Sequence, residues 1–135
     1  MPQIILNGIS HNFTFQGLDG DPVVTLAHAQ GFTMESWASQ IAYLGDRYRV
    51  LALDLRGHGG TAMAGKPYRI EDIALDIIAL LDLLKIGRTH YVGASLGGMA
   101  GFALAQDHAD RLRSVSFVTT QGILPQSSID GQLAA

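Results

Sequence analysis

The sequence of 135 residues has no cysteine at all. Disulfides, zinc–thiolate sites and thiol catalysis are thereby excluded. It also lacks a basic patch: nine Lys and Arg are spread along a chain of net charge -3, against the clustering a nucleic-acid binder needs. No apolar run reaches the ~18 residues of a membrane span. The start, Met1-Pro2-Gln3-Ile4, has neither the basic opening nor the apolar stretch of a signal peptide, so a cytoplasmic protein is expected. No pair of histidines stands four residues apart with carboxylates nearby, so no metal site is expected among His11, His28, His58, His90 and His108. No internal repeat or inner linker interrupts the chain.

What is present is apolar and rich in glycine. Hydrophobic residues make up 47% and charged residues 16%, which rules out disorder as the main state. The length suits one domain with a real core. Four short apolar runs, Val23–Ala27, Arg49–Leu53, Tyr91–Ala94 and Val115–Val118, are nearly continuous. Such runs mark strands buried on both faces of a parallel sheet. Ile4–Leu6 and Asn12–Gln16 differ: the second alternates, and Asn7-Gly8 between them signals a turn, so they are expected to form an antiparallel hairpin at the sheet edge.

Helical patterns lie between the strands. Ile70, Ile73, Ile77, Leu80, Leu81 and Leu84 fall on one face of a helix over 70–84. Glu71 and Asp72 suit its positive N-terminal end, and Gly87 is the expected stop. A weaker helix is expected over Glu35–Leu44, and one buried nearly all round over Leu96–Gln106. Strands alternating with helices predict an α/β fold with a doubly wound, mostly parallel sheet. The polar tail from Pro125 to Ala135 is expected to be loosely held.

Three segments carry chemistry. Gly93-Ala94-Ser95-Leu96-Gly97 is a G-x-S-x-G pattern placed where a strand ends and a buried helix begins. A serine on so sharp a turn lifts its hydroxyl above the sheet, and the flanking glycines permit the close backbone approach. Ser95 is expected to be the most exposed serine and the nucleophile. The helix N-terminus brings N–H groups to a developing oxyanion. The second segment, His28-Ala29-Gln30-Gly31, follows the strand Val23–Ala27, and the N–H groups of Gln30 and Leu96 would together form an oxyanion hole. His28 is read as a structural hydrogen-bonding residue and Trp37 as core. In the third segment, Asp54-Leu55-Arg56-Gly57-His58-Gly59-Gly60-Thr61, an Asp54–His58 catalytic pair is conceivable, but bracing of the loop by hydrogen bonds is the preferred reading.

These segments, in this order, resemble the N-terminal half of an α/β-hydrolase, from about Phe13 to Pro125. Within that superfamily the chain is most similar to the 3-oxoadipate enol-lactonase group and related small esterases. The stretches that carry this are Trp37-Ala38-Ser39-Gln40, Tyr48 to Gly59, Tyr68 to Ala74 and His90 to Met99. The resemblance implies residues 1–125 as the first six strands of such a domain, with 126–135 as a tail. It implies Ser95 as nucleophile, Leu96 and Gln30 as oxyanion donors, no cofactor, and a small ester or lactone as substrate. Ala29 departs from the glycine usual in the family's His-Gly-x-Gly loop. Serine at position 95 argues against dehalogenases and epoxide hydrolases, which use aspartate there. Family order places the acid and then the histidine after the serine. Asp107 and His108 follow a helix that holds them roughly 18 Å from Ser95, and Asp130 has no histidine after it. The expectation is therefore a serine hydrolase truncated before its acid and base. The alternatives are a non-catalytic binding module of the same fold and an inactive fragment. Association with a second copy through an apolar edge at Val115, Phe117 and Val118 is also expected.

Overall fold

The computed structural model of the protein describes residues 3–63, 65 and 67–118. The expected tail, 126–135, lies outside the described residues. Six strands form one sheet: β1 (Gln3–Leu6), β2 (Ile9–Gln16), β3 (Val23–Ala27), β4 (Arg49–Leu53), β5 (Thr89–Ala94) and β6 (Leu112–Val118). Their spatial order is β1-β2-β4-β3-β5-β6. The pairs β4–β3, β3–β5 and β5–β6 are parallel, while β1–β2 and β2–β4 are antiparallel. The sheet is thus mostly parallel, with the expected hairpin at one edge. Asn7 and Gly8 make the hairpin turn at φ 50° and 80°. Two successive positive φ values match the right-handed twist of the flanking strands.

Alternation along the central strands separates two cores. Val23 and Ala27 of β3, with Leu51 and Leu53 of β4, face helices α2 (Ile70–Leu83) and α3 (Leu96–Asp107). Val24, Leu26, Val50 and Ala52 face the other way, onto Met34, Trp37 and Ile41. Those residues belong to a 3-10 turn, Met34–Trp37, and to helix α1 (Ala38–Leu44). Helices therefore cover both faces of the sheet, as a doubly wound α/β fold requires. Trp37 packs against the smaller core, as read from the sequence.

Four details differ from expectation. The run Val115–Val118 is not buried on both faces: β6 is an edge strand of the described sheet, as expected for Val115, Phe117 and Val118, with Phe117 and Val118 exposed and Phe102 stacked on Phe117. Helix α3 is buried through its first six residues and at Leu104, but Phe102 is exposed. Its glycine-rich start is buried, and Phe102 in its second half stacks on Phe117 of the edge strand β6. The segment expected to form one helix over 35–44 begins instead as a 3-10 turn capped by Thr33, whose hydroxyl accepts the Glu35 N–H. Finally, α2 stops before Gly87. Lys85 takes the left-handed conformation at φ 59°. The Ile86 N–H donates to Leu81 and the Lys85 N–H to Asp82. Buried Ile86 beside buried Leu81 completes the closure, so apolar burial of Ile86 decides where the helix ends.

Candidate active site

Ser95 sits between β5 and α3 with φ 49° and ψ -107°. A non-glycine residue in this region is strained by roughly 1–3 kcal/mol and persists only where its surroundings fix it. They do so here on every side. The Ser95 N–H donates to the Val118 carbonyl at 3.0 Å, and the Met99 N–H donates to the Ser95 carbonyl at 2.9 Å. The buried Tyr91 hydroxyl donates to the Gly97 carbonyl at 2.6 Å. A Cβ on Gly93 would enter the backbone of Gly97, and a Cβ on Gly97 would enter the carbonyl of Ala27. Both glycines of the motif are therefore steric necessities of the turn. Ser95 is partly buried, whereas Ser36, Ser39, Ser114 and Ser116 are exposed. The expected ranking by exposure is thus corrected: the turn at the carboxyl end of β5 leaves Ser95 half-buried, less exposed than these four serines.

The segment 28–31 lies beside it because β3 and β5 are neighbours, with Ala27 opposite Gly93. The Gly97 N–H, in the first turn of α3, donates to the His28 carbonyl at 3.1 Å. Leu96 is the first residue of α3, where helix geometry leaves N–H groups without a partner inside the helix. The structure thus gathers Ser95, Leu96 and the loop that carries Gln30 at one end of the sheet.

His28 is fully buried. Its Nδ1 donates to the Ala29 carbonyl at 2.7 Å, and its Nε2 accepts the Leu55 N–H at 2.9 Å. Both ring nitrogens are engaged, and burial lowers the imidazole's affinity for a second proton, more than the Ala29 hydrogen bond raises it. His28 is a bracing residue, as read from the sequence. Asp54 and His58 likewise brace. The Asp54 carboxylate accepts from Asn12 Nδ2 at 2.9 Å, from the Gly60 N–H at 2.9 Å and from the Met34 N–H at 2.8 Å. His58 donates through Nδ1 to the Arg56 carbonyl and accepts the Gly31 N–H through Nε2. No Asp54–His58 hydrogen bond joins them into a catalytic pair.

A second polar cluster was not anticipated. Asp76 is buried on α2, where it accepts from Arg56 Nε at 2.6 Å and Nη2 at 3.0 Å, from Asn7 Nδ2 at 2.9 Å and from His11 Nε2 at 3.2 Å. Burial pushes this carboxyl up. Hydrogen bonds from His11, Arg56 and Asn7, with the Arg56 charge, outweigh burial and hold it below the usual carboxylate range. The available signal was Asp76 itself, a carboxylate one residue from Ile77 in the apolar stripe of α2, which needs a partner when buried. Among the described residues no group of three or more His, Asp or Glu is placed to hold a metal ion. No helix of the described residues is long and apolar enough to cross a membrane.

A mostly parallel sheet, a strained serine between β5 and α3, and a loop from the adjacent strand beside it make up this end of the molecule. The family model of the alpha/beta hydrolase fold matches residues 22–133. The chain belongs to the α/β-hydrolase family. It is 35% identical over 112 residues to 3-oxoadipate enol-lactonase 2 of Acinetobacter baylyi, covering 83% of this chain and 42% of that protein. It is 34% identical over 126 residues to epoxide hydrolase A of Mycobacterium tuberculosis, covering 91% of this chain and 39% of that one. The crystal structure of the enol-lactonase from Burkholderia xenovorans superposes with a TM-score of 0.82 at 38% identity, covering 84% of this chain and 45% of that chain. The α/β-hydrolase chain described here thus spans less than half the length of these relatives.

Proposed function

We propose that the protein is a serine hydrolase of carboxylic esters or lactones, acting through an acyl-enzyme. The observation that carries this is the strained backbone of Ser95 between β5 and α3, beside the loop 28–31. In this reading the Ser95 hydroxyl attacks the carbonyl carbon, and the N–H groups of Leu96 and Gln30 receive the oxyanion. The alcohol or ring oxygen then leaves, and water resolves the ester on Ser95. The similarity to enol-lactonases favours this substrate class over epoxides.

The proton acceptor is the open part of the site. His28 and His58 have both ring nitrogens committed. His11 is buried against Asp76, His90 faces Ser114, and His108 follows the far end of α3. We therefore assign the base to a group outside these 135 residues. This same observation favours the second reading, a non-catalytic module of the same fold.

Added imidazole can stand in for the missing base. The 135-residue chain alone should hydrolyse 4-nitrophenyl acetate near background, since removal of a triad member costs several orders of magnitude. The rate should rise with imidazole beyond that of imidazole in buffer, and Ser95→Ala should abolish the excess. Equal rates for the chain and Ser95→Ala at every imidazole concentration would favour the non-catalytic module.

A further inference from the structure

His58 has no part in the chemistry described above, yet its ring ties two loops together. Its Nδ1 faces the Arg56 carbonyl at 2.9 Å, and a carbonyl only accepts, so Nδ1 carries the proton. Its Nε2 faces the Gly31 N–H at 3.0 Å, and an amide N–H only donates, so Nε2 presents a lone pair. The ring is thus neutral, in a single tautomer, and spans from the loop after β4 to the loop after β3.

His28 makes the complementary link. It uses the same tautomer, donating to Ala29 on its own loop and accepting from Leu55 on the other. The two rings lie 4.9 Å apart between centroids, tilted by 57°. Together they hold the two peptide planes on either side of Gln30. The Ala29 carbonyl shares a rigid plane with the Gln30 N–H, and the Gln30 carbonyl shares one with the Gly31 N–H. Gly31 itself has φ 82°. A bond to one end of a plane sets the direction of the other end, so His28 aims the Gln30 N–H, while His58 fixes the following plane and with it the loop on the far side of Gln30.

We propose that His58 is a positioning residue for the Gln30 loop, and that protonation of its Nε2 releases the loop. An imidazolium has no lone pair for the Gly31 N–H, and two donors would then face each other across about 3 Å. The ring that a proton reaches is His58, because it is partly exposed while His28 is fully buried. The His28 ring from the loop after β3 lies against His58, and Asp54 and Arg56 are the charged residues of its own loop. The Asp54 carboxylate is taken by three donors and the Arg56 guanidinium by Asp76. Glu35, on the 3-10 turn that follows Gly31, is exposed. The functional consequence rests on the reading of Gln30 as an oxyanion donor: loss of the Gly31 tether would loosen the loop that carries it.

Nuclear magnetic resonance of the whole 135-residue chain tests this without any substitution. At about pH 8, where an imidazole is neutral, an N–N coupling should connect Gly31 N with His58 Nε2. The Gly31 amide should be protected from exchange. As the His58 ring protonates, the coupling should vanish and the protection factor fall about tenfold, the scale of one lost hydrogen bond. His58→Gln, whose amide oxygen can still accept, should keep protection at both pH values, and His58→Ala should lack it at both. Absence of the coupling at high pH, or protection that stays constant while the ring titrates, would overturn the proposal. In the imidazole assay, His58→Ala should lower kcat with KM little changed, and His58→Gln should restore it without the acid limb. Failure of Ser95 to react at all, with Gly31 behaving as stated, would sink the hydrolase reading and leave the loop mechanism standing.

Discussion

The Tyr91 hydroxyl reaches across the turn after β5 to the Gly97 carbonyl, at 2.6 Å, inside the larger core. Tyr91 is fully buried, and burial raises its phenol far above the ordinary range. The bond joins strand to helix at the two residues that bracket Ser95, so it supports the strained backbone there. Tyr91→Phe keeps the ring and removes the donor. The expected cost is about 1 kcal/mol in urea unfolding, together with slower imidazole-dependent acylation of Ser95. An unchanged unfolding midpoint would show that the bond contributes nothing net.

Gly97→Ala places a methyl group against the backbone of Ala27. Backbone cannot swing aside as a flexible side chain can, so α3 must lift from β3. Overpacking of this kind costs typically 1–3 kcal/mol. The same movement would stretch the Gly97 N–H bond to His28. Amide exchange should therefore quicken at Gly97, and an unaltered stability would contradict the close approach.

Asp76 supplies a pH dependence whose sign follows from its environment. Its carboxyl is held below the usual range in the folded state, so its contribution is present above the unfolded pKa and is lost as pH falls through the folded one. Asp76→Asn leaves the buried Arg56 charge without its partner, at an expected cost of about 3 kcal/mol near neutral pH. It should also flatten the loss of stability on the acid side. Urea midpoints measured from neutral to acid pH for both proteins check this, and parallel curves would remove Asp76 from the account.

Lys85→Gly should stabilise the domain by about 1 kcal/mol. Lys85 closes α2 in a left-handed conformation that suits glycine better than any residue with a Cβ. The helix-closing bonds from Lys85 and Ile86 are backbone donors and survive the change. The gain in backbone freedom of the unfolded chain opposes part of it. A lowered thermal midpoint would indicate that the lysine side chain contributes packing.

The sequence by itself determined the layers of this protein and the strained turn at which the candidate site is placed. Continuous runs at Val23–Ala27 and Arg49–Leu53, the Asn7-Gly8 turn and the stripe from Ile70 to Leu81 are local patterns with local causes, and the strands and helix form there. The strained Ser95 was legible for the same reason: glycine at 93 and 97 between a strand and a helix leaves one kind of turn. Where the outcome depended on what lies opposite, tertiary structure decided. The end of α2 was set by burial of Ile86, not by Gly87. The exposure of Phe102 followed from its place against Phe117 on the edge strand β6. The roles of the polar residues were settled in the same way. Asp54, His28, His58 and Asp76 all carry titratable groups, and sequence alone cannot say which hydrogen bonds consume them. A ring nitrogen that holds a backbone N–H from another loop is fixed in one tautomer and withdrawn from catalysis, and only the folded arrangement of β3, β4 and their loops brings that N–H to it.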